Sequence, residues 1–148
     1  MQDKIFIASD HGGYGLKEVL KKYLQDTYDV RDLGTDSAET SVDYPDEAFM
    51  LVQALKEDET ARGILICTSG IGMSIAANRF PFIRGALVFN PEMARLSRAH
   101  NDANVLIFGA KFIPEETAKE CVKVFLETPF DGGRHARRVQ KLTCGGDG

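Results

Sequence analysis

The chain has 148 residues, a formal net charge of −4, and 43% apolar and 27% charged residues. That length suits one domain spanning residues 1–148 with its own core, and the acidic balance argues against general nucleic-acid binding. No apolar run approaches the roughly 20 residues of a membrane helix, and Met1–Lys4 leads into a predicted strand rather than a signal peptide.

In chain order, Lys4–Ser9 is a short apolar run that predicts a strand, closed by the turn Asp10-His11-Gly12-Gly13. Leu16, Val19, Leu20, Tyr23 and Leu24 then recur at helical spacing, with Lys17, Glu18, Lys21 and Lys22 expected on the opposite, solvated face. Tyr28–Leu33 reads as a second strand ending at Gly34. Asp43-Tyr44-Pro45 starts a helix, proline suiting its first turn, and Ala48, Phe49, Leu51, Val52 and Leu55 continue it. Gly63–Cys67 is the third strand, followed by a helix to about Asn78. Arg84–Phe89 is a strand, Pro91–Ala99 a helix, and Asn104–Gly109 a fifth strand. Pro114 opens another helix, with Ala118, Cys121, Val122 and Phe125 on its buried stripe. Gly132-Gly133 precedes a basic segment, Arg134–Leu142, and residues 143–148 are expected to form a flexible tail.

Five apolar strands alternating with helices predict an α/β fold with a parallel sheet and helices on both faces. Ligands in such folds bind beyond the carboxyl ends of the strands. Asp10 and His11, the segment Cys67–Gly72, and Lys111 all follow strands and should gather there. His100 and Asn101 follow a helix instead. They reach such a site only by looping back or by crossing to a neighbouring subunit.

The segment from Ile64 to Asn78 carries the strongest chemical signal. A thiol at a strand end precedes Thr68, Ser69, Gly70, Ile71 and Gly72, then a helix. Glycines let backbone N–H groups approach an anion, and the helix start favours a thiolate. Taken alone, Cys67 is more often a packed core thiol, and a lone Gly-x-Gly is often only a tight turn. A dinucleotide fingerprint fits poorly, because Ile75 stands where its third glycine belongs and the next strand ends in Asn90 rather than an acid.

Three cysteines cannot all pair, and they match no zinc or CxxC spacing, so a reducing cytoplasm is expected. Cys121 on its apolar stripe and Cys144 in the glycine-rich tail read as structural. The three histidines show no metal-ligand spacing either, and no metal site is expected. Arg134 and Arg138 share one helical face. They suit either a solvated basic helix or a phosphate clamp.

Together, Ser9–Gly13, Asp43-Tyr44-Pro45, Ile64–Asn78, Ser97–Asn104 and Gly132–His135 closely resemble the ribose-5-phosphate isomerase B family, which also includes the galactose-6-phosphate isomerase subunits. The resemblance implies a Rossmann-like three-layer sandwich of five parallel strands with a C-terminal helix. It also implies no cofactor, and a homodimer or dimer of dimers with active sites at the subunit interface. The implied reaction is aldose–ketose isomerisation of ribose 5-phosphate and ribulose 5-phosphate in the pentose phosphate pathway. A six-carbon aldose 6-phosphate such as allose or galactose 6-phosphate, or a non-catalytic phosphosugar-binding module, is the alternative.

By position, the resemblance makes Cys67 the base that moves a proton between C2 and C1. His100 and Asp10 become the ring-opening pair, and Thr68, Ser69, Gly70, Ile71 and Gly72 the anion hole, with Ser69 contacting a sugar oxygen. His11, Arg134 and Arg138 become phosphate contacts, and Asn101 a substrate contact. Met73 stands where some relatives carry a glutamate base, and Lys111 where arginine is common.

Overall fold

The computed structural model describes residues 3–145, with side chains described through Thr143. Five strands, β1 (Lys4–Ser9), β2 (Asp29–Asp32), β3 (Arg62–Cys67), β4 (Gly85–Leu87) and β5 (Val105–Gly109), form one parallel sheet in the order β2-β1-β3-β5-β4. Among the described residues six α-helices accompany them: α1 (Tyr14–Leu24), α2 (Tyr44–Glu57), α3 (Ile71–Ala77), α4 (Pro91–Ala99), α5 (Glu115–Glu127) and α6 (Arg134–Gly145).

The period-two alternation of the strands divides the core into two layers. Ile5, Ile7, Ile64, Ile66, Leu106 and Phe108 point to one face, where Leu20 of α1, Ala94 of α4, and Cys121, Val122 and Phe125 of α5 cover them. Ala8, Leu65, Cys67, Val105 and Ile107 point to the other, under Leu51, Val52 and Leu55 of α2 and Met73, Ala76 and Ala77 of α3. The chain leaves β1 toward β2 and leaves β3 toward β4, in opposite directions along the sheet. A crevice therefore opens between the carboxyl ends of β1 and β3, the place where open α/β sheets bind ligands.

Local caps match the residue chemistry. Pro45 sits in the first turn of α2, where its missing N–H costs nothing. Asn90 caps α4, its Oδ1 accepting from the Met93 N–H at 2.8 Å.

Two expectations about surfaces are corrected. Lys17 is not on a solvated face; it is fully buried, its Nζ 2.6 Å from Asp32 Oδ2 and 5.1 Å from the Tyr14 ring centroid. Tyr23 and Phe49, expected inside, are both 42% exposed. Helix α6 extends through Gly145, into the segment expected to be a flexible tail; residues 146–148 and the side chain of Cys144 lie outside the described residues. Among the described residues no helix is long and apolar enough to cross a membrane.

Candidate active site

The crevice is built from the turns that follow β1 and β3. Asp10 is only 7% exposed; its N–H donates to the Ile66 carbonyl at 3.2 Å, and its Oδ1 accepts from Gly13 N–H at 3.1 Å. These two bonds hold the carboxyl beside the end of β3. His11 accepts the Val42 N–H on Nδ1 at 3.2 Å, so the proton of its neutral ring lies on Nε2. That bond also ties the long segment before α2 to the mouth of the crevice.

Cys67 ends β3 and is 5% exposed. The Gly70 N–H donates to its Sγ at 3.2 Å, a contact that supports negative charge on sulfur. Gly70 has φ of +81°, and a Cβ there would meet Leu87 Cδ1 at 2.5 Å and Gly109 N at 2.9 Å. Only glycine turns the chain so tightly back over the sheet. Thr68 is exposed, and its carbonyl accepts from Lys111 N–H at 3.0 Å, which places Lys111 beside the same loop. Ser69 Oγ accepts from Ile71 N–H at 3.3 Å. The amides of Gly72 and Met73 begin α3, where helix geometry leaves them without an intrahelical acceptor.

Tyr44 was read from the sequence as part of a helix start and of a motif carrying the family resemblance, with no contact assigned to it. Its ring lies against Gly72, where a Cβ would come within 2.5 Å of Cε1, so it packs on the Gly72 side of the thiol loop. Nothing local distinguishes a tyrosine at a helix start that packs on such a loop from one that packs elsewhere on the surface. Ser9 Oγ and Glu47 Oε2 are buried near this end of the sheet and have no hydrogen-bond partner among the described residues. Burial holds the Glu47 carboxyl above the usual range, and Asp46 adds to the effect.

The other predicted residues lie elsewhere. Helix α4 runs back from the carboxyl end of the sheet, and His100 closes it. Asn104, just before β5, accepts from Gly63 N–H at the amino end of β3. The β3–β5 register pairs Gly63 with Val105 and Cys67 with Gly109, and the four steps between cover about 13 Å at ~3.3 Å each. His100 and Asn101 are therefore at the opposite end of the sheet from Cys67.

Arg134 and Arg138 go with them. Asp131 N–H donates to Ala99 O at 3.0 Å, and the His135 ring stacks on His100 at 4.2 Å and 8°. Arg134 and Arg138 are exposed on α6 and enter no ion pair among the described residues. One ligand atom each of His100, Asp131 and His135 lies within 4.8 Å of the others, a grouping their sequence spacing did not disclose. The candidate residues thus form two groups: Asp10, His11, Cys67–Gly72 and Lys111 at one end of the sheet, and His100, Asn101, Arg134 and Arg138 at the other.

A family model described as Ribose/Galactose Isomerase matches residues 5–142. Among curated relatives, a ribose-5-phosphate isomerase B from Escherichia coli is 43% identical over 142 residues, covering 95% of each chain. A putative sugar phosphate isomerase from Rickettsia bellii is 48% identical over 139 residues, 93% of this chain and 96% of that one. Among solved structures, a ribose 5-phosphate isomerase from Thermotoga maritima superposes with a TM-score of 0.92 at 51% identity, covering 97% of this chain and 99% of that chain. A ribose-5-phosphate isomerase B from Mycoplasma genitalium with bound ribulose 5-phosphate gives 0.94 at 38% identity, covering 99% and 98%.

Proposed function

The chain belongs to the ribose/galactose isomerase family, and we propose that its reaction is the reversible conversion of ribose 5-phosphate to ribulose 5-phosphate through an enediolate. The observation that carries this reading is the Cys67 thiol held by the Gly70 N–H beside the buried Asp10 carboxyl, at the open end of β1 and β3.

The furanose must open before C2 can lose its proton. His100 protonates the ring oxygen while Asp10 takes the proton of the anomeric hydroxyl, leaving the aldehyde. The Cys67 thiolate then removes the C2 proton and, as thiol, returns it to C1, while the hydroxyl proton of O2 passes to O1, so that C2 becomes the carbonyl and C1 carries the hydroxyl. Charge gathers on the carbonyl oxygen in between, where the amides of Gly72 and Met73 and the hydroxyls of Thr68 and Ser69 receive it. Loss of one such donor typically costs about 100- to 1,000-fold in rate. Arg134, Arg138, His11 and Lys111 hold the phosphate, and Asn101 holds the sugar. Anchoring the unreactive end converts binding energy into orientation of C1 and C2.

His100 and Cys67 of one chain stand at opposite ends of the sheet. The reading therefore requires a second copy to supply His100, Asn101, Arg134 and Arg138, and a homodimer is proposed. Ile71 (57% exposed) and Ile75 (59%), with Phe89, Met93 and Phe112 nearby in the fold, provide apolar surface beside the crevice for that contact. A thiol base is kept reduced in the cytoplasm, the proposed location.

The test is isomerisation of ribose 5-phosphate by the purified chain and by Cys67→Ala, with allose 6-phosphate and galactose 6-phosphate run in parallel. Turnover lost in Cys67→Ala at unchanged substrate affinity is expected. Turnover retained in that variant refutes the thiol base, and a preference for a six-carbon sugar refutes the substrate.

A further inference from the structure

At the amino-terminal end of the sheet, away from the thiol loop of the same chain, three metal-ligating side chains converge from separate elements. His100 closes α4, Asp131 lies in the segment between α5 and α6, and His135 belongs to the first turn of α6. One ligand atom of each lies within 4.8 Å of the other two. We propose that His100, Asp131 and His135 form a binding site for a divalent d-block cation of the zinc class.

The donor set selects the class of ion. Two imidazoles and one carboxylate suit zinc, copper or nickel, whereas calcium and magnesium take oxygen ligands. Ligands about 2.0–2.1 Å from a tetrahedral zinc stand roughly 3.3 Å from one another. Closing to that spacing calls for rotation of the side chains, because the two rings now stack nearly parallel with 4.2 Å between their centroids. The frame is already set: Asp131 N–H is bonded to Ala99 O at 3.0 Å, which fixes Asp131 beside His100. Gly132 and Gly133, at φ of +70° and +56°, then turn the chain so that His135 comes back over His100.

The electrostatics allow a metal while limiting its grip. An imidazole ligates through the lone pair of its neutral ring, and Asp131 supplies the negative charge of the set. Arg134 and Arg138 repel a cation. Three ligands beside two guanidiniums describe a reversible ion rather than a structural one, with a coordination position left for water. An ion here occupies a nitrogen of His100 and so opposes ring opening; that consequence, unlike binding itself, rests on the role proposed for His100.

The experiment is calorimetric titration of zinc chloride into the untagged, chelator-stripped protein, with ribose 5-phosphate isomerisation assayed at the same zinc concentrations. One zinc per chain is expected. His135→Ala and Asp131→Asn, each checked for native circular dichroism, should weaken binding at least tenfold, while Cys67→Ser should bind as the unsubstituted chain does. Cobalt(II) in place of zinc should give d–d bands without a thiolate charge-transfer band. Absent saturable binding, binding unchanged in both His135→Ala and Asp131→Asn, or binding lost in Cys67→Ser overturns the site. Zinc bound as expected with isomerisation unaffected upholds the site and overturns the role of His100 instead.

Discussion

Replacing Arg98 with alanine should destabilise the fold and disable the turn that carries His100 and Asn101. The Arg98 side chain is 7% exposed. Its Nη1 donates to Asp102 Oδ1 at 2.8 Å and to Ala103 O at 2.7 Å, and its Nε donates to Thr128 O at 3.2 Å. One guanidinium thus binds the end of α4 to the segment leading toward α6. Truncation leaves two carbonyls without this donor, at about 1–3 kcal/mol for a buried one. Breaking a fully buried ion pair costs about 3–5 kcal/mol. Asp102 is 34% exposed and keeps Arg84 at 3.5 Å, so its share is smaller. About 3–4 kcal/mol in all is a large part of a typical 5–15 kcal/mol stability. With a urea slope of about 2 kcal/mol per molar, the midpoint should fall by roughly 1.5–2 M. Arg98→Lys should recover only part of this, since one ammonium cannot span three acceptors in a planar fork. Urea unfolding followed by circular dichroism measures the shift, and steady-state kinetics below the transition measures the loss at His100. A midpoint within a few tenths of a molar of the parent, or full rescue by lysine, would refute the reasoning.

Gly70→Ala forces a side chain into left-handed backbone, about 1–2 kcal/mol, and against Gly109 N and Leu87. The loop must move, and a shift of about 1 Å should lower kcat about 100-fold; normal turnover in a folded variant would contradict this. Burial alone would raise Asp32, but hydrogen bonds from Lys17, Lys21 and Gly34 N–H outweigh it and hold its carboxyl below the usual range. The linked stability is therefore present above the unfolded carboxylate value of about 3.9 and lost as pH falls below it. Asp32→Asn should flatten the acid-unfolding curve in that window, and an unchanged curve would count against the network. Arg138→Ala should raise KM for ribose 5-phosphate with little change in kcat, whereas an equal loss in kcat would assign it to the chemistry.

Strand and helix positions, the parallel sheet and the Cys67 loop were legible in the sequence because each is written locally. Alternation fixes which strand faces are apolar, proline and glycine mark starts and stops, and a thiol before a glycine turn needs no distant partner to be noticed. The burial of Lys17 was not legible, because its partner Asp32 ends β2 and only the packing of α1 against that strand brings them together. The same holds for Tyr44 against Gly72, for Val42 on His11, and for the stacking of His100 on His135.

Most consequential is the separation of the candidate residues into two groups. The sequence alone assigns His100 to the end of a helix and Cys67 to the end of a strand. That order already leaves His100 and Asn101 to loop back to the site or to cross to a neighbouring subunit; the choice between the two is made by α4 returning antiparallel to β4 and β5, which leaves them at the far end of the sheet. Local periodicity decides which face of each element turns inward. Only the packed sheet, by fixing strand order and direction, decides which chemical groups meet within one chain and which need a second.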